Sequence, residues 1–333
     1  MALFFLRTFP TYAERLKNRD ERVQPSGVQK IVPFALFLLF NAVCLIASIW
    51  YRATNPGAVL KAGNRFGKYF GTFGYWFLTG AWHKAMEGVK FNAVDLVSPS
   101  LEIGFCRGNI SALHFEGKHF DLGSEYLFFE AQKASEAYGL WKSVYSDDLN
   151  NMALKDDSIG TICAVHVIDH VESTDRVISE MSRVLRPGGK LYFSGFSDNH
   201  FHYSLIWRFL NLFSGRRADA FAAMLARRRG SYNLISAGEW DALLEGHGLK
   251  LESHSYTESG LYAHICYFLH FVCFSNFCFD FKFIHQGPLR PFLEKLFRFY
   301  YLSIGAPEFL RTQQGSPPSG DNFFAVAVKK FRS

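Results

Sequence analysis

LEIGFCRGNISALHFEGKHFDLGSE, residues 101–125, is the stretch whose reading decides the fold. Leu101-Glu102-Ile103 is a short apolar strand. Gly104-Phe105-Cys106-Arg107-Gly108 is a tight glycine turn, and a helix opens at Asn109. A second strand around Lys118–Leu122 runs on to an acid, Glu125, 17 residues after Gly108. Strand, glycine turn, helix, strand and acid make half of a nucleotide-binding βαβ unit. The glycines let a ligand approach the backbone, and the acid can accept both hydroxyls of a ribose.

Further elements follow downstream. A helix is expected over Phe128–Tyr138 and a strand over Ser143–Tyr145, ending at Asp147-Asp148. The fully apolar Thr161–Val165 is a buried strand. Between Thr174 and Leu185 the apolar positions Val177, Ile178, Met181, Val184 and Leu185 fall on one helical face. That helix stops at Arg186-Pro187-Gly188-Gly189, and Lys190–Ser194 is the next strand. Ser236-Ala237-Gly238-Glu239 reads as a capping box opening a helix. Leu249–Tyr256 and Asn322–Lys330 read as strands. Strands alternating with helices at this spacing predict an α/β, doubly wound, seven-stranded sheet over residues 96–256 and 321–333.

The remainder of the 333 residues has a different character. Apolar residues make up 49% of the chain and aromatics 17%, more than a soluble core of this size needs, so a lipid surface is expected. The net charge of +6 is scattered, which suits anionic lipid and argues against nucleic acid as a partner. After an N-terminal segment (1–30), Ile31–Tyr51 holds no charge in 21 residues, the length of a transmembrane or membrane-anchoring helix (31–53). Trp50 and Tyr51 sit where amphipathic rings prefer the interface. An aromatic connecting segment (54–95) follows. A hydrophobic insertion (257–320), membrane-facing or substrate-covering, precedes the last strand. The six cysteines show no paired spacing and read as reduced and buried, neither disulfides nor metal ligands.

The motifs resemble those of class I S-adenosylmethionine (SAM)-dependent methyltransferases, type 11-like, in a membrane-associated member. LEIGFCRGNIS (101–111) is similar to the family's glycine motif, with Cys106 at its middle glycine. GSE (123–125) is similar to the ribose motif, and SDDLNNMALKDDSIGTICAVHVIDHV (146–171) to the adenine loop and following strand. VISEMSRVLRPGGKLYFS (177–194) is similar to the helix and Pro-Gly-Gly turn of the family. The resemblance implies SAM as cofactor, held by Glu102, Gly104, Cys106, Gly108, Glu125, Asp148, Leu149 and His166. Glu125 would take the ribose, and Asp148 the adenine amino group, with Asp147 as an alternative.

Methyl transfer is an in-line displacement that a general base can assist. Base candidates at the C-terminal ends of the strands are His166, Asp169, His170, His200 and His202. The apolar segments, with Arg216, Arg217 and Arg227-Arg228-Arg229, suit a hydrophobic or lipid-linked acceptor with an anionic head. The expected enzyme is membrane-bound, its catalytic domain on the cytoplasmic side, or the matrix side if mitochondrial. Two other readings fit the same residues: a non-catalytic subunit of a membrane protein complex that kept the fold, and a soluble small-molecule methyltransferase.

Overall fold

The computed structural model describes residues 27–66, 69, 80–126, 128–231, 233–259, 263–264, 288, 290–315 and 317–331. In chain order the elements are α1 (Gly27–Thr54), α2 (Pro56–Phe66), α3 (Gly80–Asn92), β1 (Ser100–Ile103), α4 (Asn109–His114), β2 (Phe120–Ser124), α5 (Phe128–Tyr138) and β3 (Trp141–Tyr145). Then come β4 (Ile159–Val165), a 3-10 turn (Ile168–His170), α6 (Thr174–Val184), β5 (Leu185–Phe196) and a second 3-10 turn (His200–Tyr203). The chain continues through α7 (Leu205–Phe213), α8 (Gly215–Arg229), α9 (Ala237–Gly246), β6 (Leu249–Thr257), α10 (Arg290–Gln314) and β7 (Asn322–Lys329). They fall into two compact units, residues 86–200, 231–257 and 317–333 in one, and 1–85, 201–230 and 258–316 in the other.

The first unit is built on the expected sheet, with strand order β3-β2-β1-β4-β5-β7-β6. β1 to β5 are parallel, and β7 runs antiparallel between β5 and β6. Its two faces are covered because each strand alternates its side chains between them. On one face Ile162, Leu191 and Phe193 pack with Val177, Ile178 and Met181 of α6 and with Trp240 and Leu244 of α9. On the other, Cys163, Tyr192 and Phe120 pack with Phe91 of α3 and with Ala131 and Ala134 of α5. The capping box forms as read: Ser236 accepts the Glu239 N–H, and the Glu239 carboxylate accepts the Ser236 N–H. Several boundaries differ: β2 lies at Phe120–Ser124 and not around Lys118–Leu122, and β3 and β4 each begin two residues earlier than expected. α6 ends at Val184, and β5 already begins at Leu185, taking Pro187-Gly188-Gly189 into the strand with a register shift against β4.

The second unit is helical. Arg52, at the end of α1, donates through Nε to Ser303 Oγ at 2.8 Å and through Nη2 to the Phe299 carbonyl at 2.9 Å. Its guanidinium lies 4.2 Å from the centre of the Phe299 ring, fastening α1 to α10. Residues 201–230, expected within the sheet domain, cluster with these helices.

α1 covers the apolar stretch Ile31–Tyr51. Among the described residues no helix is long and apolar enough to cross a membrane, so the expected span is not found. The side chains of 31–38 lie outside the described residues, as do residues 1–26, 70–79 and 265–287. Among the described cysteines Cys44 and Cys163 are buried as expected, whereas Cys106 is exposed.

Candidate active site

The chain winds outward from β1 in both directions, to β2 and β3 on one side and to β4 and β5 on the other. Such a reversal leaves a crevice at the C-terminal ends of the strands, here between Gly104 after β1 and His166 after β4. Gly104 and Gly108 both have positive φ, 67° and 71°. A Cβ on Gly104 would overlap Val167 Cγ2, so this glycine is required by the neighbouring strand end. Between them Cys106 also takes a positive φ of 49°, a conformation glycine adopts without strain and cysteine does not. Its side chain points outward, and its N–H donates to Glu125 Oε2 at 2.6 Å. The acid at the end of β2 therefore reaches across to the glycine turn and keeps one carboxylate oxygen for a further donor.

Glu102 has a different place from the one expected. It is fully buried beneath the turn, accepting Ser111 Oγ–H at 2.6 Å and Trp141 Nε1–H at 2.9 Å. Burial pushes its carboxyl up to about 8, with the Glu125 charge adding to the effect. With both oxygens occupied, Glu102 ties α4 and β3 to β1 instead of lining the crevice.

Asp147 and Asp148 can be told apart. Asp147 accepts the N–H groups of Asp148 and Ala153, one on each oxygen, and so organises its own loop. Asp148 uses only Oδ1, toward Asn150, and is exposed. The Asn150 N–H lowers its carboxyl, so it stays an anion that can accept an amino group. Leu149 is half-buried against the sheet core, which fixes this loop.

Past β4 the structure brings His166, Asp169 and His170 together. His166 has a φ of 52°. Its N–H donates to the Ser194 carbonyl, and its ring lies between two carboxylates, Nδ1 3.3 Å from Asp169 Oδ2 and Nε2 3.2 Å from Glu87 Oε1. Glu87, on α3, also accepts the Ser194 hydroxyl and lies 3.8 Å from His114 Nε2. Burial alone would raise the Asp169 carboxyl, but the facing His166 and His170 outweigh it and hold it below its ordinary value. Asp169 Oδ1 is buried and has no hydrogen-bond partner. Asn233 clamps the turn by donating to the carbonyls of Ile168 and Val171.

The other histidines divide. His200 is buried in a 3-10 turn, not an open loop, with Nδ1 2.7 Å from Asp321. Phe196 lies between it and His166, its ring centre 4.0 Å from one imidazole and 4.7 Å from the other. His202 belongs to the helical unit, against Trp207. Sequence reasoning did not find Glu87, Trp141 or Asn233. Glu87 had one available signal, as the only acid in the helix that leads to β1.

The chemistry of this donor set fits SAM: a glycine turn after β1, a spare carboxylate oxygen on Glu125 after β2 for a ribose, and an exposed anion at Asp148 after β3 for an adenine. Residues 101–193 match the methyltransferase domain family. An arsenite methyltransferase from Aquipseudomonas alcaligenes is 29% identical over 87 residues, 26% of this chain and 25% of that protein. The chain thus spans about a quarter of the length of the curated relative it matches. Among solved structures, a SAM-dependent methyltransferase from Thermotoga maritima, a possible histamine N-methyltransferase, superposes with a TM-score of 0.46 at 16% identity, over 81% of this chain and 100% of that one. Phosphoethanolamine N-methyltransferase 2 of Haemonchus contortus, in complex with SAM, gives 0.46 at 16% identity over 79% and 57%. The segment that matches the methyltransferase domain family runs from β1 to β5 and holds both the glycine turn and Glu125.

Proposed function

We propose that the chain transfers a methyl group from SAM to a hydrophobic or lipid-linked acceptor at a membrane surface. The observation that carries the donor half is the joined turn and acid, with the Glu125 carboxylate bound to Cys106 N–H at the mouth of the β1–β4 crevice. Glu125 would take the ribose on its second oxygen, Asp148 the adenine, and the backbone at Leu149 would border the ring. SAM supplies a methyl already activated by its sulfonium, so the protein's part is to orient the acceptor and receive its proton. The group placed to receive it is the more open His170, whose Nε2 lies 3.8 Å from Asp169; both ring nitrogens of His166 already face carboxylates, Glu87 and Asp169, so His166 orients that pair.

The membrane half is supported by α1, where Leu39, Val43, Ile46 and Trp50 are exposed along one helical face. No acid occurs between Glu21 and Glu87, whereas seven basic residues do: Arg22, Lys30, Arg52, Lys61, Arg65, Lys68 and Lys84. Such a surface suits anionic lipid. In this reading lipid and a lipid-linked substrate are the partners, and the domain faces cytoplasm or matrix, where SAM is made.

A second reading is a non-catalytic subunit of a membrane complex. It is favoured by the strained Cys106 and by the engagement of Glu125 with the protein's own backbone. Calorimetric titration of detergent-solubilised protein with SAM and with S-adenosylhomocysteine, beside Glu125→Ala, separates the two. Micromolar binding lost in the variant supports the enzyme; folded protein that binds neither compound overturns it.

A further inference from the structure

The short helix α7, LIWRFLNLF, is amphipathic in an unusual way. Ile206, Trp207 and Leu210 are half-buried, whereas Phe209, Leu212 and Phe213 are 60%, 82% and 72% exposed. These three stand at i, i+3 and i+4, on one face, with the Phe209 and Phe213 rings 5.1 Å apart. Ser204 caps the helix by accepting the Trp207 N–H, so this apolar face is held on a formed helix. The exposed side chains Arg208, Arg216 and Arg217 flank it. Across residues 201–230 there are six arginines and one acid, Asp219.

We propose that α7 and the first turn of α8 form a wedge that inserts into an anionic lipid bilayer, Phe209, Leu212 and Phe213 entering the acyl boundary while Arg208, Arg216 and Arg217 bind phosphates. The chemistry favours lipid over protein. A face of three side chains on a nine-residue helix is far smaller than a specific protein interface, which takes about 800 Å² from each partner. Large apolar residues bordered by arginines are what an interfacial helix presents to headgroups. The inference deepens the membrane half of the proposed function and rests on it. It adds a contact remote in sequence from α1, so that the bilayer is met at two separate stretches of the helical unit.

The test uses the full chain carrying Leu212→Trp, with a far-ultraviolet circular dichroism spectrum and urea midpoint matching wild type as the check that the fold is kept. Protein is mixed with phosphatidylcholine vesicles, with and without phosphatidylglycerol, whose acyl chains are brominated at known depth. If the wedge inserts, the fluorescence added by the new tryptophan falls at least roughly twofold in anionic vesicles and less in neutral ones. Arg216→Glu with Arg217→Glu then removes the preference for anionic lipid. If the chain floats with vesicles but the added fluorescence is unquenched, the wedge is wrong and the methyltransferase reading stands. If quenching occurs without S-adenosylhomocysteine binding in wild type, the wedge stands and the enzyme reading falls. A chain that does not float overturns both the wedge and the membrane half of the function.

Discussion

The carboxylate of Glu125 and the backbone N–H of Cys106 meet at 2.6 Å, joining the end of β2 to the centre of the glycine turn. This contact holds open the turn in which Cys106 takes a φ of 49°. Replacing Cys106 by glycine should leave stability unchanged or raise it by less than about 1 kcal/mol, because relief of strain is partly offset by the freer unfolded chain. Cys106→Val, β-branched at a positive φ, should lose roughly 2 kcal/mol. Urea midpoints of the three proteins check this, and equal midpoints for valine and glycine would show that the turn carries no strain.

Glu102 predicts a pH dependence. Its folded carboxyl sits at about 8 against an ordinary 4.5, so the native state holds a proton that the unfolded chain releases. The stabilisation is complete below about 4.5 and is lost as pH rises toward about 8. Each pH step across that window costs about 1.4 kcal/mol. Glu102→Gln keeps a neutral group between Ser111 and Trp141 and should flatten the slope. Denaturation followed from pH 5 to 8 would refute the assignment if both proteins gave the same slope.

Gly104 and Val167 form a steric pair, because a Cβ on the first would overlap Cγ2 of the second. Gly104→Ala should cost roughly 3 kcal/mol, from crowding together with the positive φ. Adding Val167→Ala should restore about half, leaving the backbone strain. A double-mutant cycle measures the coupling, and strictly additive losses would mean that the two positions do not touch.

Glu87 receives Ser194 and faces His166 and His114 while almost fully buried. Glu87→Ala strands these groups and should cost roughly 3–5 kcal/mol. Glu87→Gln, which keeps an acceptor for Ser194, should cost less. If Glu87 positions His166, the glutamine variant should keep its affinity for S-adenosylhomocysteine and lose methyl transfer to a membrane extract. Parallel loss of both would make it a structural residue alone.

What the sequence made legible was local. The turn 104–108 and the capping box at Ser236 depend on residues a few positions apart, and each formed where its spacing placed it. Asp147 and Asp148 could be distinguished only after their loop hydrogen bonds were seen. The buried network was not legible, because its partners lie far apart in the chain. Ser194 is 107 positions from Glu87, Asp321 is 121 from His200, and Trp141 is 39 from Glu102. Nothing in local periodicity links such pairs. Glu102 was misplaced for this reason: the strand pattern put it near the turn, but its direction depended on a tryptophan from β3.

Thr257 and Asn322, the last residue of β6 and the first of β7, are register partners in the sheet. Everything the chain does between them therefore leaves from and returns to one point on the sheet. An excursion hung in this way can lengthen, shorten or change its composition at little entropic cost to its host, since closure entropy grows only slowly with length. The segment between these two strands can thus diversify while the register of the sheet that carries it stays fixed.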